Sequence, residues 1–344
     1  MESVEGSLVV LGAGSWGTAL ASVAASQQRT VLWARSESTA REVVEARSND
    51  RYLPGVRLSK DLEATSDLGA ALEGASAVLV GVPSHGVRDL LADAGDFLTP
   101  GTPVFSLSKG IETETSLRMT EVIAQALPHC TPGVVSGPNL ALEVAQGHPA
   151  AALVACEVET TAELMREALH SATFRAYAST DVIGVEIAGA TKNVLAIAAG
   201  ISDGLGLGEN TRAMLITRGL AEMGRLGTAL GGHVLTFGGL AGIGDLIATS
   251  TSDKSRNRSV GFELGRGRDL VDIVASMHMV AEGVKTAGPL ARLAEGAGLD
   301  LPICGEVARI VSGETTPTEA LAALMARPAH GEFDDVAVVR RRST

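Results

Sequence analysis

Residues 8–21 read LVVLGAGSWGTALA, an apolar run that leads through a Gly-rich turn into a helix-like pattern. Gly12, Gly14 and Gly17 give the turn the spacing G-x-G-x-x-G. In this pattern the first Gly permits a tight turn, the second lets the backbone approach a pyrophosphate, and the third lets the helix pack closely on the strand. The N–H groups at the helix start would add partial positive charge. The stretch predicts a strand–turn–helix unit that binds a dinucleotide; a Gly-rich turn without a ligand is the alternative.

Short apolar runs alternate with helix-like patterns through the first 180 residues, which is typical of βαβ units around a parallel sheet. The runs are apolar throughout, as expected for strands that helices cover on both faces. The predicted strands are residues 7–11, 30–33, 77–81, 103–106, 133–136, 151–155 and 174–177. The predicted helices between them are residues 15–27, 37–47, 84–93, 116–126 and 160–170.

Beyond residue 180 the strand-like runs nearly vanish, and stretches rich in Ala, Leu and Gly dominate. The predicted helices there are residues 182–203, 209–230, 240–250, 255–265, 284–297, 303–312 and 316–326. The sequence therefore predicts an α/β parallel-sheet domain followed by an all-α domain. We expect residues 1–180 to bind the dinucleotide and residues 181–330 to form a helical substrate and catalytic domain. Residues 331–344, which contain Arg340–Arg342, are expected to be a flexible tail.

Composition narrows the possible functions. The 344 residues carry 28 Lys and Arg against 40 Asp and Glu, a formal net charge of −12, which disfavours an electrostatic grip on nucleic acid or anionic lipid. The three cysteines and the histidines have neither disulfide-framework nor metal-site spacing, so no metal is expected. The N-terminus lacks a signal-peptide pattern, and Glu186 and Lys192 make residues 182–201 too polar for a membrane helix. We expect a cytoplasmic protein without membrane insertion.

The end of the second predicted strand bears on the choice of cofactor. An acidic residue usually follows this strand in NAD enzymes, where it binds the ribose 2′-hydroxyl. Here Arg35 and Ser36 stand in that region, and a guanidinium suits a 2′-phosphate. We therefore expect NADP(H) to be preferred, while Glu37 leaves NAD(H) possible. A solvated surface arginine is the alternative interpretation of Arg35.

Two further strand ends carry polar groups where ligands of open α/β sheets gather. Lys109 lies in SLSKGIE at residues 106–112, and Gly137 and Asn139 lie in SGPN at residues 136–139. Lys109 is expected to face a ligand, although a surface lysine would satisfy the same pattern. A helix that follows Asn139 would present N–H groups to an anion.

The helical half supplies the residues for proton transfer. Residues 182–201 are apolar nearly all round, so Lys192 at their centre should be buried, and it needs a partner or a cavity. Burial depresses a lysine pKa and can suit the amine to proton transfer; a structural ion pair is the alternative. Asp245 follows the Gly-rich stretch 238–244 and could also be a helix cap. At residues 255–258 the sequence SRNR, with Arg256, suits a phosphate at a helix start. We assign catalysis to none of the histidines.

Seven motifs occur in order: GAGSWG, SLSKGIE, SGPN, GATKNVLAIAAG, GLAGIGDL, SRN and VAEGVKTA. Together they resemble the bacterial-type NAD(P)-dependent glycerol-3-phosphate dehydrogenase family over about residues 7–328. The resemblance implies a Rossmann-type domain, a helical C-terminal domain, commonly a homodimer, and reversible reduction of dihydroxyacetone phosphate to sn-glycerol 3-phosphate for phospholipid synthesis. Asn139 departs from the Ser or Thr often seen in the family, and Arg35-Ser36-Glu37 departs from the commoner His/Arg-Asp/Asn start.

The resemblance also implies roles for individual residues. Lys192 would be the general acid/base, and Asp245 the second catalytic residue. Cofactor contacts would come from Ser15, Trp16, Arg35, Lys109, Ala141, Arg256, Val280 and Glu282. Substrate contacts would come from Lys109, Gly137, Asn139, Lys192, Asp245, Ser255, Arg256 and Asn257.

Two other functions compete with this one. A hydroxyacid or ketopantoate-type reductase would have the same two-domain plan, but Ser255, Arg256 and Asn257 favour a phosphorylated substrate. A redox-sensing protein would bind NADP(H) without catalysis, and it would not need a lysine inside an apolar helix.

Overall fold

The computed structural model describes residues 6–277, 279–328 and 331. The chain forms two compact units: residues up to 108 together with 118–182, and residues 109–117 together with those from 183 onward. The segment 109–117 thus groups with the second unit, although the predicted boundary at residue 180 assigned it to the first. Apart from Gly331, the predicted tail lies outside the described residues.

Among the described residues, the first unit is built on one eight-stranded sheet with the order β3-β2-β1-β4-β5-β6-β7-β8. The strands are β1 (Ser7–Leu11), β2 (Thr30–Trp33), β3 (Leu62–Thr65), β4 (Ala75–Val80), β5 (Pro103–Ser106), β6 (Thr131–Ser136), β7 (Ala150–Cys156) and β8 (Phe174–Ser179). Neighbouring strands are parallel except β6 and β7. The order changes direction at β1, which pairs with both β2 and β4, and ligands bind beside the carboxyl ends of such strands. The Rossmann-type fold class is confirmed.

Two features of this sheet differ from the prediction. The edge strand β3 was not predicted, because it has four residues and only Leu62 is fully buried, whereas Glu63 is exposed. The antiparallel pairing of β6 with β7 was also not foreseen, since a short apolar run does not reveal strand direction.

Helices flank the strands of the first unit. They are α1 (Ser15–Ala24), α2 (Glu37–Glu45), α3 (Leu68–Leu72), α4 (Val87–Ala94), α5 (Met119–Ala126), α6 (Ala141–Ala145) and α7 (Glu159–Leu169). Aliphatic side chains of β1 and α1, including Leu8, Val10 and Leu20, form the centre of the core with Phe105 and Phe174. The short helix α3 was not predicted, because five residues are too few to show a helical period, whereas α6 is the helix expected after Asn139.

The second unit is helical, as expected for this half of the chain. Its helices are α8 (Val182–Gly204), α9 (Glu209–Ala229), α10 (Val234–Phe237), α11 (Asp245–Thr251), α12 (Arg256–Gly265), α13 (Leu270–Ala275), α14 (Glu282–Gly296), α15 (Pro302–Ser312) and α16 (Pro317–Met325). A π-helical turn, Leu240–Gly244, leads directly into α11. The short helices α10 and α13 were not predicted.

Glycines let α8 and α12 approach each other with their backbones nearly in contact. A Cβ on Gly200 would lie 2.0 Å from the carbonyl oxygen of Arg258, and one on Gly261 would lie 2.0 Å from that of Ile197. No other residue fits at either place without a shift of the helices. This contact brings the start of α12 beside the middle of α8, where Lys192 lies.

Two stretches pass the length and composition criteria for a membrane span, Val182–Gly204 and Val234–Thr251. Within the first, 94% of the most apolar window is buried inside the protein, which is how the core helix of a globular domain passes the same test. In the second the buried share is 39%. One or two such stretches are weak evidence for a membrane.

Candidate active site

The Gly-rich turn between β1 and α1 has the shape that the spacing predicts. Gly12 has a φ of +118°, which other residues rarely adopt. A Cβ on Gly17 would lie 2.1 Å from the carbonyl oxygen of Gly12, so the close packing of helix on strand requires Gly17. By contrast, a Cβ on Gly14 would meet only one protein atom, at 3.9 Å, so the protein itself leaves that side of Gly14 open.

The N-terminus of α1 is open to an anion. Gly14 is the N-cap and has no side chain, so it provides no side-chain acceptor for the N–H groups of the first turn, which begins at Ser15. The indole of Trp16 packs against Phe174 with 6.1 Å between ring centroids, and its buried Nε1 has no hydrogen-bond partner among the described residues. The turn is braced by Asn49, whose Nδ2 donates to the Ala13 carbonyl oxygen at 3.0 Å. The sequence analysis missed Asn49, because it lies 36 residues further along the chain.

The structure places Arg35 at the end of β2, directly before α2. Arg35 and the N-cap residue Ser36 are both exposed. The carboxylate of Glu37 forms an ion pair with Arg41, one turn further along α2, at 2.6 Å. The position therefore offers an accessible guanidinium, while the neighbouring acid already has a cationic partner.

Gly137 and Asn139 follow β6, as predicted. Gly137 has a φ of +139°, and a Cβ there would lie 3.0 Å from the Ala151 carbonyl oxygen. The Nδ2 of Asn139 donates to that oxygen at 2.9 Å, and its buried Oδ1 has no partner within the described part of the chain. Ala141 begins α6, which packs against α1. The helix has only five residues, and the binding of an anion by its N–H groups stays a prediction.

A buried cluster in the second unit joins the two predicted lysines through Asp245. Lys109 Nζ donates to Asp245 Oδ2 at 2.7 Å, and Lys192 Nζ lies 3.1 Å from Asp245 Oδ1. Lys192 also donates to Thr249 Oγ1 at 2.7 Å, and that hydroxyl donates to Asp245 Oδ1 at 3.1 Å. The side chains of Lys192 and Asp245 are only 8% and 3% exposed. Asp245 therefore binds two ammonium groups and is not a simple helix cap.

These contacts perturb two pKa values. The pKa of Lys192 is lowered to about 8, chiefly by burial and also by the nearby cations Lys109 and Arg256, against the opposing attraction of Asp245. Burial alone would raise the pKa of Asp245, but the two neighbouring ammonium groups outweigh it and leave that pKa lowered. Asp245 is thus held ionised, while Lys192 is poised within about a unit of neutral pH, where proton transfer in both directions is efficient.

A chain of side-chain amides leads away from this cluster. Asn193 Nδ2 donates to the carbonyl oxygen of Lys109 at 2.7 Å, and Asn257 Nδ2 donates to Asn193 Oδ1 at 2.7 Å. Asn257 Oδ1 in turn accepts from the backbone N–H of Gly283 at 2.9 Å. Ser255 caps α12 by accepting from the Arg258 N–H at 3.3 Å. Ser255 and Asn257 therefore have hydrogen-bond partners within the protein. Their prediction as substrate contacts did not foresee these partners.

Arg256 lies at the first position of α12, beside the segment that leads into α14. Its Nη1 donates to the carbonyl oxygen of Val280 at 2.8 Å. Glu282 is the first residue of α14 and acts electrostatically on Arg256. The structure thus brings together Arg256, Val280 and Glu282, the three residues that the motifs placed near the cofactor in this half of the chain.

Two members of the cluster were missed by the sequence analysis. Thr249 lies four residues after Asp245, so both side chains project from the same face of α11, and this spacing was a usable signal. Asn193 is adjacent to Lys192 in sequence, but its partner Lys109 lies 84 residues away, so no local pattern reveals their contact.

An open turn for a dinucleotide on a Rossmann-type sheet, followed by a helical unit with a buried lysine, defines an NAD(P)-dependent oxidoreductase. Residues 7–162 match the family model for the NAD-dependent glycerol-3-phosphate dehydrogenase N-terminus, and residues 181–322 match the model for its C-terminus. The chain belongs to the NAD-dependent glycerol-3-phosphate dehydrogenase family. The resemblance inferred from the seven motifs is confirmed.

Individual relatives agree with this assignment. A glycerol-3-phosphate dehydrogenase [NAD(P)+] of Sphingopyxis alaskensis is 46% identical over 92% of this chain and 95% of its own length. One of Mycobacterium bovis is 47% identical over 95% of this chain and 96% of its own length. The crystal structure of a Coxiella burnetii glycerol-3-phosphate dehydrogenase superposes with a TM-score of 0.90 at 39% identity, covering 94% of this chain and 100% of that one.

Proposed function

We propose that this protein catalyses the reversible NAD(P)H-dependent reduction of dihydroxyacetone phosphate to sn-glycerol 3-phosphate. The observation that carries the proposal is the buried Lys109–Asp245–Lys192 cluster in a chain of this family. An ammonium group with a pKa of about 8 is suited to give a proton to a ketone oxygen as it gains electrons, and to take it back in reverse. The family membership and the names of the relatives support the choice of substrate.

The first unit fits a dinucleotide. The open side of Gly14 and the start of α1, which has no side-chain cap, together offer space and N–H donors for a pyrophosphate. We assign its binding to Gly12, Gly14, Ser15, Trp16 and Gly17 of the Gly-rich turn and to Arg35, Lys109 and Ala141, which follow strand ends. The family resemblance adds three residues of the helical half, Arg256, Val280 and Glu282. When bound, the reduced nicotinamide supplies the hydride for the carbonyl carbon.

Lys192 is the proton donor in this mechanism. Negative charge develops on the ketone oxygen during reduction, and a buried ammonium stabilises that charge without waiting for solvent to reorganise. Asp245 fixes the orientation of Lys192 and partly offsets its charge and that of Lys109. Lys109, which is slightly more exposed than Lys192, provides a second positive group for the substrate oxygens.

The start of α12 is the proposed phosphate site. Arg256 provides a guanidinium at the first helical position, and the N-terminal N–H groups of a helix favour anions. Ser255 retains its hydroxyl hydrogen and Asn257 a second amide hydrogen, so both can still donate. Gly137 and Asn139 are assigned to the substrate as well. Anchoring of the phosphate supplies binding energy remote from the reacting carbon and orients it.

NADP(H) is the proposed preferred cofactor, with NAD(H) as a possible second. The accessible Arg35 guanidinium at the end of β2 supports a 2′-phosphate contact. The Arg41 partner of Glu37 supports the same preference, because it reduces the repulsion that a free carboxylate would exert on that phosphate.

We also propose that the protein is a cytoplasmic homodimer whose product enters glycerophospholipid synthesis. The family resemblance supports these assignments. Exposed apolar side chains of the second unit, Val234, Leu235 and Val271, supply area that a second copy could cover. The mass of the purified protein by light scattering tests the dimer, since a monomeric mass at micromolar concentration would refute it.

One assay tests the reaction directly. NADPH oxidation by the purified protein is followed by absorbance with dihydroxyacetone phosphate, with ketopantoate, and with neither. Turnover with the triose phosphate supports the proposal. Turnover with ketopantoate alone would select the reductase of similar plan, and NADPH binding without any turnover would select a sensor.

A further inference from the structure

Residues 109–117 carry Lys109 and are named the Lys109 loop. The near end of this loop forms hydrogen bonds with helices α8 and α11 of the second unit. The Lys109 ammonium donates to Asp245 at 2.7 Å, and the Lys109 carbonyl oxygen accepts from Asn193 at 2.7 Å. Both contacts are made by Lys109 itself. They hold the near end of the loop and leave its far end, residues 113–117, to other contacts.

The Lys109 loop is a compact unit rather than an extended strand. The Glu112 N–H donates to the Leu117 carbonyl oxygen at 2.9 Å, and the Ser116 N–H donates to that of Glu112 at 3.0 Å. The side chain of Ile111 is fully buried, and Ser116 has a left-handed φ of 59°. Because these hydrogen bonds close the loop on itself, we expect a displacement of its far end to reach Lys109.

The side chain of Arg292 contacts that far end at two points. Arg292 of α14 donates through Nε to Ser116 Oγ at 3.1 Å and through Nη2 to the Thr113 carbonyl oxygen. The guanidinium is exposed, and neither acceptor belongs to the lysine–aspartate cluster. Because Arg292 donates to two separate points of the loop, it fixes both the orientation of the loop and its distance from α14.

We propose that Arg292 is a positioning residue for the reaction: it clamps the Lys109 loop so that the Lys109 ammonium stays against Asp245. The inference rests on the proposed function and adds a residue that touches neither substrate nor cofactor. Charged groups that act on Lys192 come from the Lys109 loop (Lys109), from α11 (Asp245) and from α12 (Arg256). Of these, only Lys109 depends on the clamp.

Loss of the Arg292 contacts should change the pH dependence of the reaction, which a purely structural role of Arg292 would not do. Lys109 lowers the pKa of Lys192 by charge repulsion, and burial lowers it as well. When the clamp is released, both effects weaken and the pKa of Lys192 rises. The alkaline fall in kcat/KM for ketone reduction, which follows the loss of the Lys192 proton, then moves to higher pH.

The experiment compares Arg292→Ala with Arg292→Lys and with Arg309→Ala, an exposed arginine of α15 whose partners are Glu306 and Glu314. We measure kcat/KM for dihydroxyacetone phosphate with NADPH from pH 6 to pH 10, and repeat Arg292→Ala in a Lys109→Met background. Arg292→Ala should reduce kcat/KM by roughly 10-fold to 100-fold, since a misplacement of about 1 Å can cost 10²-fold. The alkaline fall in kcat/KM should move to higher pH in Arg292→Ala. The kcat/KM of Arg292→Lys should lie between those of Arg292→Ala and the parent, and that of Arg309→Ala should equal the parent value.

In the Lys109→Met background, Arg292→Ala should have little further effect. An unchanged alkaline limb, an equal loss in both backgrounds, or no loss at all would overturn the proposal. Ser116→Ala, which removes one acceptor only, replaces Arg292→Ala if that variant does not fold, and the same outcomes apply.

A second readout needs no substrate, so it separates this inference from the proposed reaction. Acetylation of Lys109 by acetic anhydride is compared with that of the exposed Lys60 by peptide mass spectrometry. Arg292→Ala should raise the relative labelling of Lys109 several-fold, even if the parent does not reduce dihydroxyacetone phosphate. Equal labelling in parent and variant would overturn the clamp.

Discussion

Replacement of Asp245 by Asn is the perturbation with the most specific expected consequence. The carboxylate lies 2.7 Å from Lys109 Nζ and 3.1 Å from Lys192 Nζ, with its side chain 3% exposed. Asn has nearly the same shape, but it leaves two buried ammonium groups without an anion between them. Lys192 should respond by losing its proton more easily, because only the charged form suffers from the missing partner.

The size of the effect follows from the pKa of Lys192. With a pKa of about 8, about nine-tenths of the molecules carry the ammonium at pH 7. Removal of a neighbouring opposite charge shifts a pKa by roughly 1–3 units, so a shift of about two units would leave about one-tenth protonated. Titration alone should therefore lower kcat/KM at pH 7 by about tenfold, before any loss of orientation is added. Breaking a buried pair should also cost about 3–5 kcal/mol of unfolding free energy.

The assay is the pH dependence of kcat/KM for reduction of dihydroxyacetone phosphate, with unfolding by urea in parallel. The parent should lose activity as the pH rises through about 8, and Asp245→Asn should lose it at lower pH. Asp253→Asn is the matched control, since Asp253 forms an ion pair with Arg258 but is 95% exposed. An alkaline limb at the same pH in parent and Asp245→Asn would refute the electrostatic role of Asp245.

Three further variants test the binding sites. Gly17→Ala places a Cβ 2.1 Å from the Gly12 carbonyl oxygen and should abolish NADPH binding in a fluorescence titration, while Gly296→Ala, with no atom within 4 Å of its Cβ, should not. Arg35→Ala should lower the preference for NADPH over NADH by roughly 10-fold to 100-fold, the worth of one charged hydrogen bond; an unchanged ratio of kcat/KM values would contradict the 2′-phosphate contact. Arg256→Ala should raise KM for dihydroxyacetone phosphate by a similar factor, roughly 10-fold to 100-fold, and an equal loss with unphosphorylated dihydroxyacetone would count against a phosphate role.

The fold was largely predictable because its signals are local. The apolar run and Gly spacing at residues 8–17 specify a strand, a turn and a helix within one stretch of chain, and the structure has all three. Lys192 was expected to be buried because its helix is apolar on every side, and it is. The edge strand β3 and the antiparallel pair β6–β7 were not predictable, since both depend on partners distant in sequence.

The site was predictable by residue type but not by pairing. Sequence reasoning identified Lys109, Lys192 and Asp245 separately, yet it could not show that one carboxylate binds both ammonium groups. The contact depends on the Lys109 loop lying against α8 and α11, which is long-range packing. Arg292 is the extreme case, because 176 residues separate it from Ser116 and nothing in its own surroundings marks it.

Turnover by Lys192→Met is the most direct test of the central claim that the buried Lys192 amine is the proton donor. The variant keeps an unbranched side chain, one atom shorter, that has no titratable group, and Lys60→Met on the surface is its control. We predict that kcat for dihydroxyacetone phosphate at pH 7 falls by about 10²–10⁴, the range for loss of a general acid, and that the alkaline limb near pH 8 disappears. A folded Lys192→Met protein with near-normal kcat and the same alkaline limb would contradict the mechanism.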